Sequence, residues 1–557
     1  MKILVLGGYG VFGGRLAELF KHDPGLTLLL AGRDGQKARA FDESLGGSAT
    51  ALPLALDRRD IAAALALHRP DLVVDASGPF QAYGDDPYLV PKAAIAARVP
   101  YLDLADGADF VAGIGTLDAA ARAAGVFVLA GVSSFPVLTH AVLTEMETRL
   151  EVTELTGGIA PSPYAGVGMN VLRAVLGYAG SPVRLWRQGK PATGIGLGDS
   201  LIATVAVPGK VPLQPLRFSL VDVPDLRVLP AAHPALQTLW MGAAPQPRFL
   251  HRLLTLIARA RAKLHLPSLA PLAPLAHRLL NLRPMGEHRG GMFLAAKGLR
   301  DGQPVNLSWH LLAEGDDGPL IPSMAVAILI RKMQQGRAPF PGARAGIGSL
   351  TLQDYEAAFA GRTILTGWRE AMQPEPYPQT LGPVFDDLPR LLQQLHRPGP
   401  RSLWRGRAEV TRGRGFLVPL VAALFRFPKA GMSQPVEVTF TTDARGRETW
   451  TRRFGTRVMQ STQETGTGRD EALIVERFGP FRFGLALDWD GTRLQLIPRR
   501  WGIGLLPLPR WLMPHGPAWE EERDGRFRFH VEIILPLIGP VVRYEGWLDP
   551  VEARKSD

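Results

Sequence analysis

Short apolar runs alternate with amphipathic segments over residues 1–135 of this 557-residue chain. The runs KILVLG, LTLLLAGR, ATALPLAL and DLVVDASGPF are predicted strands, and segments such as DRRDIAAALALH and VPKAAIAARV have helical spacing. Buried strands separated by helices are typical of a parallel sheet covered on both faces. We therefore predict an α/β, doubly wound parallel sheet over residues 1–135.

The pattern changes after this region. Residues 136–315 have longer β-like runs and fewer regular helices, which predicts a mixed α/β domain for substrate binding or dimerisation. Proline is dense in MQPEPYPQTLGP, and residues 366–384 are predicted to be a linker. Residues 385–548 contain many short β runs, such as RFRFHVEIILP with its strict alternation. They predict an antiparallel barrel or sandwich, followed by a tail at 549–557.

The amino-acid composition excludes several classes of protein. A 46% hydrophobic chain is a folded protein, and the absence of cysteine excludes disulfides and thiol chemistry. The first apolar run is too short for a secretory signal, and no apolar stretch is long enough for a membrane-spanning helix. We expect a cytoplasmic protein, either free or peripheral to a membrane. No metal-binding motif is apparent.

The net charge of +11 is concentrated in one segment. Residues 226–286 hold eight lysines and arginines and no acidic residue. Within them, residues 248–265 are predicted to form a helix with an apolar face at Leu250, Leu253, Leu254, Ile257 and Leu264, and an opposite basic face. Such a helix either packs on its own domain or lies on an anionic membrane surface. The basic residues lack interleaved aromatics, so nucleic acid is not expected as a partner.

A glycine-rich turn follows the first predicted strand. Gly8, Gly10 and Gly13 form G-x-G-x-x-G at the junction of a strand and a helix, which is the context that a dinucleotide-binding turn requires. Glycines permit the tight turn and the approach of backbone N–H groups to a pyrophosphate. We expect the whole turn, including Tyr9, Val11 and Phe12, to contact the nucleotide.

The ends of the next strands indicate which nucleotide binds. A site for NAD places a carboxylate at the end of the second strand, whereas this chain has Gly32 and Arg33 there, with Lys37 four residues on. A guanidinium binds a 2′-phosphate in a planar fork, so the sequence predicts NADP(H). Asp57 is the expected adenine contact. The turn of Ser77, Gly78, Pro79 and Phe80 is expected beside the nicotinamide.

Five segments carry a family resemblance: GGYGVFGGRLAELF, LLLAGRDGQKA, VVDASGPFQAYG, PYLDLADGADF and AGVSSFP. In this order they resemble the saccharopine-dehydrogenase-like oxidoreductases over about residues 1–135, and weakly as far as 365. The resemblance implies a Rossmann fold and NAD(P) chemistry on amino acids or lipid-like molecules. It also implies that the second domain is inserted late, with residues 316–365 returning to the first. Residues 385–548 resemble an uncharacterised domain family often fused behind such domains.

The sequence offers several candidates for the residue that transfers a proton to or from the substrate. Tyr88 and Lys92 have the Y-x-x-x-K spacing that can lower the pKa of a catalytic tyrosine, although Pro91 lies between them. Asp103 and Asp106 follow the fifth predicted strand, where they either orient a substrate or cap a loop.

These observations lead to one functional expectation and its alternatives. We expect an NADP-dependent oxidoreductase that acts on an unidentified, hydrophobic or lipid-like small molecule and associates as a homodimer. The alternatives are a nucleotide-sensing protein without turnover and a lipid-binding protein in which the aromatic-rich β domain holds the ligand.

Overall fold

The computed structural model describes residues 1–46, 51–166, 168–280, 286–370, 375–399, 401–443, 446–504 and 506–551. The chain forms two compact units. The first comprises Met1–Ala203 and Leu216–Thr366, and the second comprises Thr204–Pro215 and Gly367–Asp557.

The helices and strands of the first unit, with the strand that ends it, are as follows in chain order: β1 (Lys2–Leu6), α1 (Val11–Phe20), β2 (Thr27–Gly32), α2 (Gly35–Ser44), β3 (Ala51–Ala55), α3 (Ile61–His68), β4 (Leu72–Asp75), α4 (Leu89–Ala96), β5 (Tyr101–Asp103), α5 (Ala108–Gly113), α6 (Asp118–Ala124), β6 (Phe127–Ala130), α7 (Thr139–Glu147), β7 (Glu151–Ala160), α8 (Met169–Tyr178), β8 (Pro182–Arg187), β9 (Lys190–Ile195), β10 (Ser200–Ala203), β11 (Leu216–Leu220), α9 (Asp225–Ala232), β12 (Thr238–Ala243), α10 (Arg248–Leu264), α11 (Ala273–Leu280), β13 (Arg289–Arg300), β14 (Gln303–Glu314), α12 (Ile321–Gln334), β15 (Gly342–Ala345), α13 (Leu352–Phe359) and β16 (Ile364–Glu370).

A seven-stranded parallel sheet in the order β15-β6-β5-β4-β1-β2-β3 forms the centre of the first unit. Its inner strands are apolar on both faces, and residues 3–5 of β1 and 72–74 of β4 are fully buried. Such strands require helices on both sides. The predicted doubly wound α/β fold is confirmed. The strand order reverses between β1 and β4, which places a crevice at their carboxyl ends.

The last strand of this sheet comes from far along the chain. After α12, which has Pro322 in its first turn, β15 pairs in parallel with β6. Residues 342–345 thereby extend the sheet that β1 to β6 form.

A second sheet of nine strands contains both parallel and antiparallel pairs. Its main path runs β10-β11-β12-β7-β13-β14-β16, and β8 pairs with β12 and with β9. The long hairpin of β13 and β14 is antiparallel, whereas β12 runs parallel to β7. The predicted mixed α/β architecture of the middle region is therefore confirmed.

The second unit is built from the following elements: α14 (Pro376–Leu381), α15 (Arg390–His396), β17 (Arg401–Arg412), α16 (Val418–Leu424), β18 (Gly431–Thr442), β19 (Glu448–Phe454), β20 (Arg457–Thr465), β21 (Ile474–Phe478), β22 (Phe481–Trp489), β23 (Leu494–Ile503), β24 (Leu506–Pro507), β25 (Ala518–Arg523), β26 (Arg526–Leu535) and β27 (Gly539–Pro550).

Ten of these strands close into an antiparallel barrel, with β24 paired outside the ring. Each strand pairs with the next along the chain, except that β23 pairs with β25. The ring closes where β27 meets β17. Of the two architectures that the sequence left open, the structure is the barrel. The alternating side chains Phe527, Phe529, Val531 and Ile533 line its interior.

The predicted linker is not a free connection. In the described part of residues 366–384, α14 places Tyr377 and Leu381 fully buried in the core of the barrel unit. Pro376 and Pro378 lie in the first turn of the helix, where no intrahelical N–H is needed, so a proline-rich sequence is compatible with a packed helix here. Residues 371–374 and 552–557, which belong to the predicted linker and tail, lie outside the described residues.

The carboxylate of Asp103 joins the ends of β5 and β6 inside the sheet. It is fully buried and accepts hydrogen bonds from the backbone N–H of Ala105, at 3.0 Å, and of Gly131, at 2.6 Å. Burial raises the pKa of Asp103 to about 7. The folded protein therefore keeps a proton that the unfolded chain releases near pH 4, and stability is lost as the pH rises from about 4 to 7.

We predict that Asp103→Asn flattens this pH dependence, because an amide cannot ionise. The effect is at most about 4 kcal/mol, at about 1.4 kcal/mol per pKa unit. Hydrogen exchange of the β5 and β6 amides at pH 5 and 8 measures the local free energy of opening. Asp71→Asn is the matched control, since Asp71 also accepts a backbone N–H, from Lys2, but is exposed. Identical pH profiles for wild type and Asp103→Asn would contradict the prediction.

Candidate functional site

A cleft of about 1500 Å³ lies at the carboxyl ends of β1, β2 and β4 in the first unit. This is more than the roughly 300–1,000 Å³ of a site for one small ligand. The cleft is lined by most of the predicted nucleotide contacts: Tyr9, Gly10, Val11, Phe12, Gly32, Arg33, Asp57, Ser77, Gly78, Pro79 and Phe80. Gly8, Gly13 and Lys37 do not line it.

The glycine turn is packed too tightly for side chains. Gly7 has a φ of +71° and accepts a hydrogen bond from the N–H of Gly10 at 2.8 Å. A Cβ on Gly8 would lie 2.7 Å from the backbone of Leu30, and one on Gly13 would collide with the carbonyl of Gly7. Gly8 and Gly13 thus bring the strand and helix together, while Gly10 caps α1 and leaves the helix N-terminus open to the cleft.

Tyr9 closes one side of the turn over the end of β2. A Cβ at Gly32 would collide with the Tyr9 ring, and the Tyr9 hydroxyl accepts a hydrogen bond from the N–H of Asp34 at 3.0 Å. The carboxylate of Asp34 is used locally, since it caps α2 by accepting from the N–H groups of Gln36 and Lys37. These backbone hydrogen bonds lower the pKa of Asp34.

Two arginines converge where the second and third strands end. Arg33 is exposed in the cleft, and Arg59 lines the same wall. Asp57 accepts from the Arg59 side chain at 2.9 Å, and this bond, with the field of Arg33, lowers the pKa of Asp57 to about 2. Lys37 instead lies 3.7 Å from Asp34. Our sequence reasoning missed Arg59, although the run DRRD directly after β3 contained the signal.

The turn after β4 is held by a buried carboxylate. Asp75 is fully buried and accepts hydrogen bonds from the N–H of Ser77, at 3.0 Å, and from its hydroxyl, at 2.6 Å. The hydroxyl of Tyr83 lies 2.8 Å from that of Ser77, and the guanidinium of Arg58 sits 3.7 Å above the Tyr83 ring. Burial raises the pKa of Asp75. This network fixes the turn containing Gly78 and Pro79 at the cleft.

The tyrosine–lysine pair predicted from spacing does not form. Tyr88 precedes the first residue of α4, and its hydroxyl donates to the carbonyl of Phe110 at 2.9 Å. Lys92 pairs with Asp86 at 2.9 Å and is half exposed. Because α4 begins after Tyr88, the two side chains do not share a helical face, and neither lines the cleft.

The two aspartates after β5 have different surroundings. Asp103 points into the sheet and does not line the cleft, as described above. Asp106 does line it and is accessible from it, and it accepts a hydrogen bond from Gln81 at 3.1 Å. The walls of the cleft partly desolvate the Asp106 carboxylate, which raises its pKa. Of the four catalytic candidates from the sequence, only Asp106 faces the cleft.

A tyrosine from the second sheet region also reaches the cleft. Tyr178, near the end of α8, lines the same cavity as Asp106 and Asp222. Desolvation and the fields of these two carboxylates raise its pKa. Asp222 is held by Arg227 at 3.2 Å, and Arg227 also pairs with Asp109. Sequence reasoning missed Tyr178, because no local motif connects it to the predicted nucleotide-binding region.

The basic segment forms the predicted helix, α10, but packs by a different face. The side chains buried against the domain are His251, Thr255 and Ala258, and His251 lies 2.9 Å from the hydroxyl of Ser219. The predicted apolar face does not pack on the domain as a unit, because the face that contacts β11 carries His251 and Thr255, whose side chains lie within hydrogen-bond distance of the Ser219 hydroxyl. Of its five members, Leu253, Ile257 and Leu264 are exposed. No helix in the described ranges is long and apolar enough to cross a membrane.

Comparison with protein families matches both ends of the chain. Residues 3–129 match the saccharopine dehydrogenase NADP binding domain, and residues 388–548 match a domain of unknown function, DUF4166. No curated protein matches the chain.

Two solved structures are among those to which the chain is similar. Saccharopine dehydrogenase (L-Glu forming) from Saccharomyces cerevisiae is 15% identical, with a TM-score of 0.48, over 67% of this chain and 100% of that one. The amine dehydrogenase from Mycobacterium smegmatis is 14% identical, with a TM-score of 0.34, over 61% of this chain and 94% of that one. The two family matches coincide with the two resemblances seen in the sequence. The chain thus combines an N-terminal region that matches the saccharopine dehydrogenase NADP binding domain with a C-terminal region that matches DUF4166.

Proposed function

We propose that the chain is an NADP-dependent oxidoreductase that transfers hydride between NADP(H) and a small apolar molecule in the cleft of the first unit. The observation that carries the proposal is the glycine turn. Its close backbone packing tolerates no side chain at Gly8 or Gly13, and the N-terminus of α1 lies open to the cleft, as the binding of a pyrophosphate requires. The nicotinamide ring, when bound, supplies the hydride. The protein supplies binding, orientation and proton transfer.

Two cations support the preference for the phosphorylated nucleotide. Arg33 and Arg59 lie at the ends of β2 and β3, where the ribose of a bound dinucleotide falls in this fold. The carboxylate expected of an NAD site is absent, because Asp34 is turned into its helix cap. The 2′-phosphate would be bound mainly by Arg33, since Arg59 is already shared with Asp57.

The proton carrier that the geometry supports best is Tyr178, with Asp106 beside it. Both line the cleft, and the field of Asp106 acts on the Tyr178 hydroxyl. The Tyr178 hydroxyl is protonated at neutral pH and lines the cleft, so it is placed to donate its proton in carbonyl or imine reduction. The nearby Asp106 carboxylate helps to keep this hydroxyl protonated.

We predict that Arg33→Ala weakens NADPH binding by roughly 10- to 100-fold and leaves NADH binding nearly unchanged, because it removes charge-assisted hydrogen bonds to the 2′-phosphate. Isothermal titration calorimetry with both nucleotides measures the two affinities. Arg39→Ala is the control, since Arg39 is an exposed arginine of α2 that does not line the cleft. Equal losses for NADPH and NADH would remove the basis for the preference.

We predict that Tyr178→Phe lowers the rate of NADPH oxidation by about 10²- to 10⁴-fold without changing NADPH affinity, since general acid catalysis contributes on that scale. Nucleotide oxidation is followed with a panel of apolar aldehydes, ketones and imines. Tyr164→Phe is the control, because Tyr164 is exposed and does not line the cleft.

Two results would count against this assignment. Unchanged turnover in Tyr178→Phe would exclude the tyrosine as the acid. Tight NADPH binding with no oxidation by any compound of the panel would favour a nucleotide sensor without turnover.

We also propose that α10 attaches the first unit to anionic membranes, which would bring the enzyme to apolar substrates. Its outer face carries exposed apolar side chains at i, i+4, i+7 and i+15, namely Phe249, Leu253, Leu256 and Leu264. The exposed cations Arg252 and Lys263 flank this stripe, and no acidic residue occurs between positions 226 and 286. An apolar stripe with basic flanks suits the interface of an anionic bilayer.

We predict that the chain floats with phosphatidylglycerol vesicles and not with phosphatidylcholine vesicles. The double variant Leu253→Ser with Leu256→Ser should reduce flotation at least tenfold, because each buried leucine contributes about 1.5–3 kcal/mol. Leu67→Ser is the control, since Leu67 is 77% exposed on α3, outside the stripe. Equal flotation of the double variant and wild type would contradict an α10 contact.

A further inference from the structure

The interior of the barrel contains a cavity that the oxidoreductase function does not use. It has a volume of about 190 Å³ and mainly apolar walls, with Phe425, Phe440, Trp450, Phe478, Phe527 and Phe529 among the lining side chains. An apolar cavity of about 150 Å³ accommodates a benzene molecule. The space in the barrel therefore suits a molecule of about one substituted ring.

A buried amide in the cavity wall indicates that a molecule bound there would carry a polar group. Gln463, on β20, lines the cavity and is only 1% exposed, yet its Oε1 has no hydrogen-bond partner among the described residues. Buried acceptors are nearly always paired, and an unpaired one is costly. A ligand that donates a hydrogen bond to Gln463 would remove this cost.

The one guanidinium that the described part of the chain contributes to the cavity wall is already engaged. Arg452 donates to the hydroxyl of Ser461 at 2.8 Å and to Glu476 at 3.4 Å, and it lies 4.7 Å above the Trp450 ring. The Ser461 hydroxyl also donates to Glu476, at 2.7 Å. Arg452, Ser461 and Glu476 thus satisfy one another's hydrogen bonds, so the guanidinium is a poor binding partner for an incoming anion.

The other charged groups that the described residues bring to the wall are acidic, apart from His515 at its exposed edge. Glu520 lies 2.5 Å from the buried His396, and Glu532 is half-buried. With Glu476, three carboxylates line the cavity against one guanidinium. The field inside the barrel therefore opposes an anion and favours a hydrogen-bond donor or a cation.

We propose that the barrel is a binding site for a small apolar molecule, about one ring in size, that carries a hydrogen-bond donor which it gives to Gln463. A hydroxyl and a protonated amine share this chemistry, whereas a carboxylate of the same shape does not. The site is independent of the nucleotide cleft, so its test does not depend on the redox function.

Four probes of one shape test the proposal on the full chain: benzyl alcohol, benzylamine, toluene and benzoate. Calorimetric titration should give affinities for benzyl alcohol and benzylamine at least tenfold above that for toluene, with no binding of benzoate. The difference between the alcohol and the amine identifies which donor the site prefers. Benzoate binding as tightly as benzyl alcohol, or no binding of any probe at millimolar concentration, would overturn the proposal.

The variant Gln463→Leu tests the contact itself. It should bring benzyl alcohol down to the affinity of toluene, while toluene binding is retained and shows that the barrel is folded. Gln495→Leu is the control, because Gln495 lies on β23 and does not line the cavity. An unchanged preference for benzyl alcohol in Gln463→Leu would show that the amide is not the acceptor.

Discussion

The close backbone contact of the glycine turn determines the rest of the candidate site. Gly7 and Gly8 pass so near to the ends of β4 and β2 that a side chain would meet Ala76 or Leu30. Gly13 brings α1 equally close to the same turn. This packing fixes where the free N–H groups of the helix N-terminus lie. It also sets the positions of Arg33 and of the turn at Ser77, because these follow β2 and β4, which both pair with β1.

The surroundings of the cleft divide its charged groups by role. Arg33 and Arg59 line the cleft at the ends of β2 and β3, where the carboxylates of Asp34 and Asp57 are engaged in local hydrogen bonds. Asp75 and Asp103 are buried and accept hydrogen bonds from backbone N–H groups of the turns, so they fix the conformation of those turns. Asp106 remains accessible beside Tyr178, so it can act on a ligand. Aspartates at the ends of the neighbouring strands β4 and β5 thus have two roles: Asp75 and Asp103 are structural, whereas Asp106 faces the cleft.

The parts of the site that sequence predicted are those encoded locally. The glycine turn, Arg33 and the turn at Ser77 each follow a strand whose end the hydrophobic pattern marks. Tyr178 could not be predicted, since it reaches the cleft through the packing of a separate sheet region. Asp103 and Asp106 could not be told apart, because their orientation depends on which backbone N–H groups lie nearby. Tyr88 and Lys92 have the right spacing but not a common helix.

The barrel shows the same division between local and distant determinants. Alternation in β26 predicted an antiparallel sheet, but closure requires the first strand of the ring, β17, to meet the last, β27, which no local pattern records. The proline-rich segment that looked like a linker contains Tyr377, whose ring stacks on His396 at 3.6 Å inside the core. A composition typical of linkers therefore does not distinguish a free segment from a short packed helix.

The most direct test of the central claim is calorimetric titration of the unmodified chain with NADPH and with NADH. We expect NADPH to bind with a dissociation constant in the micromolar range or below, and more tightly than NADH. The absence of binding heat with either nucleotide, in a chain shown to be folded, would contradict the assignment of the cleft.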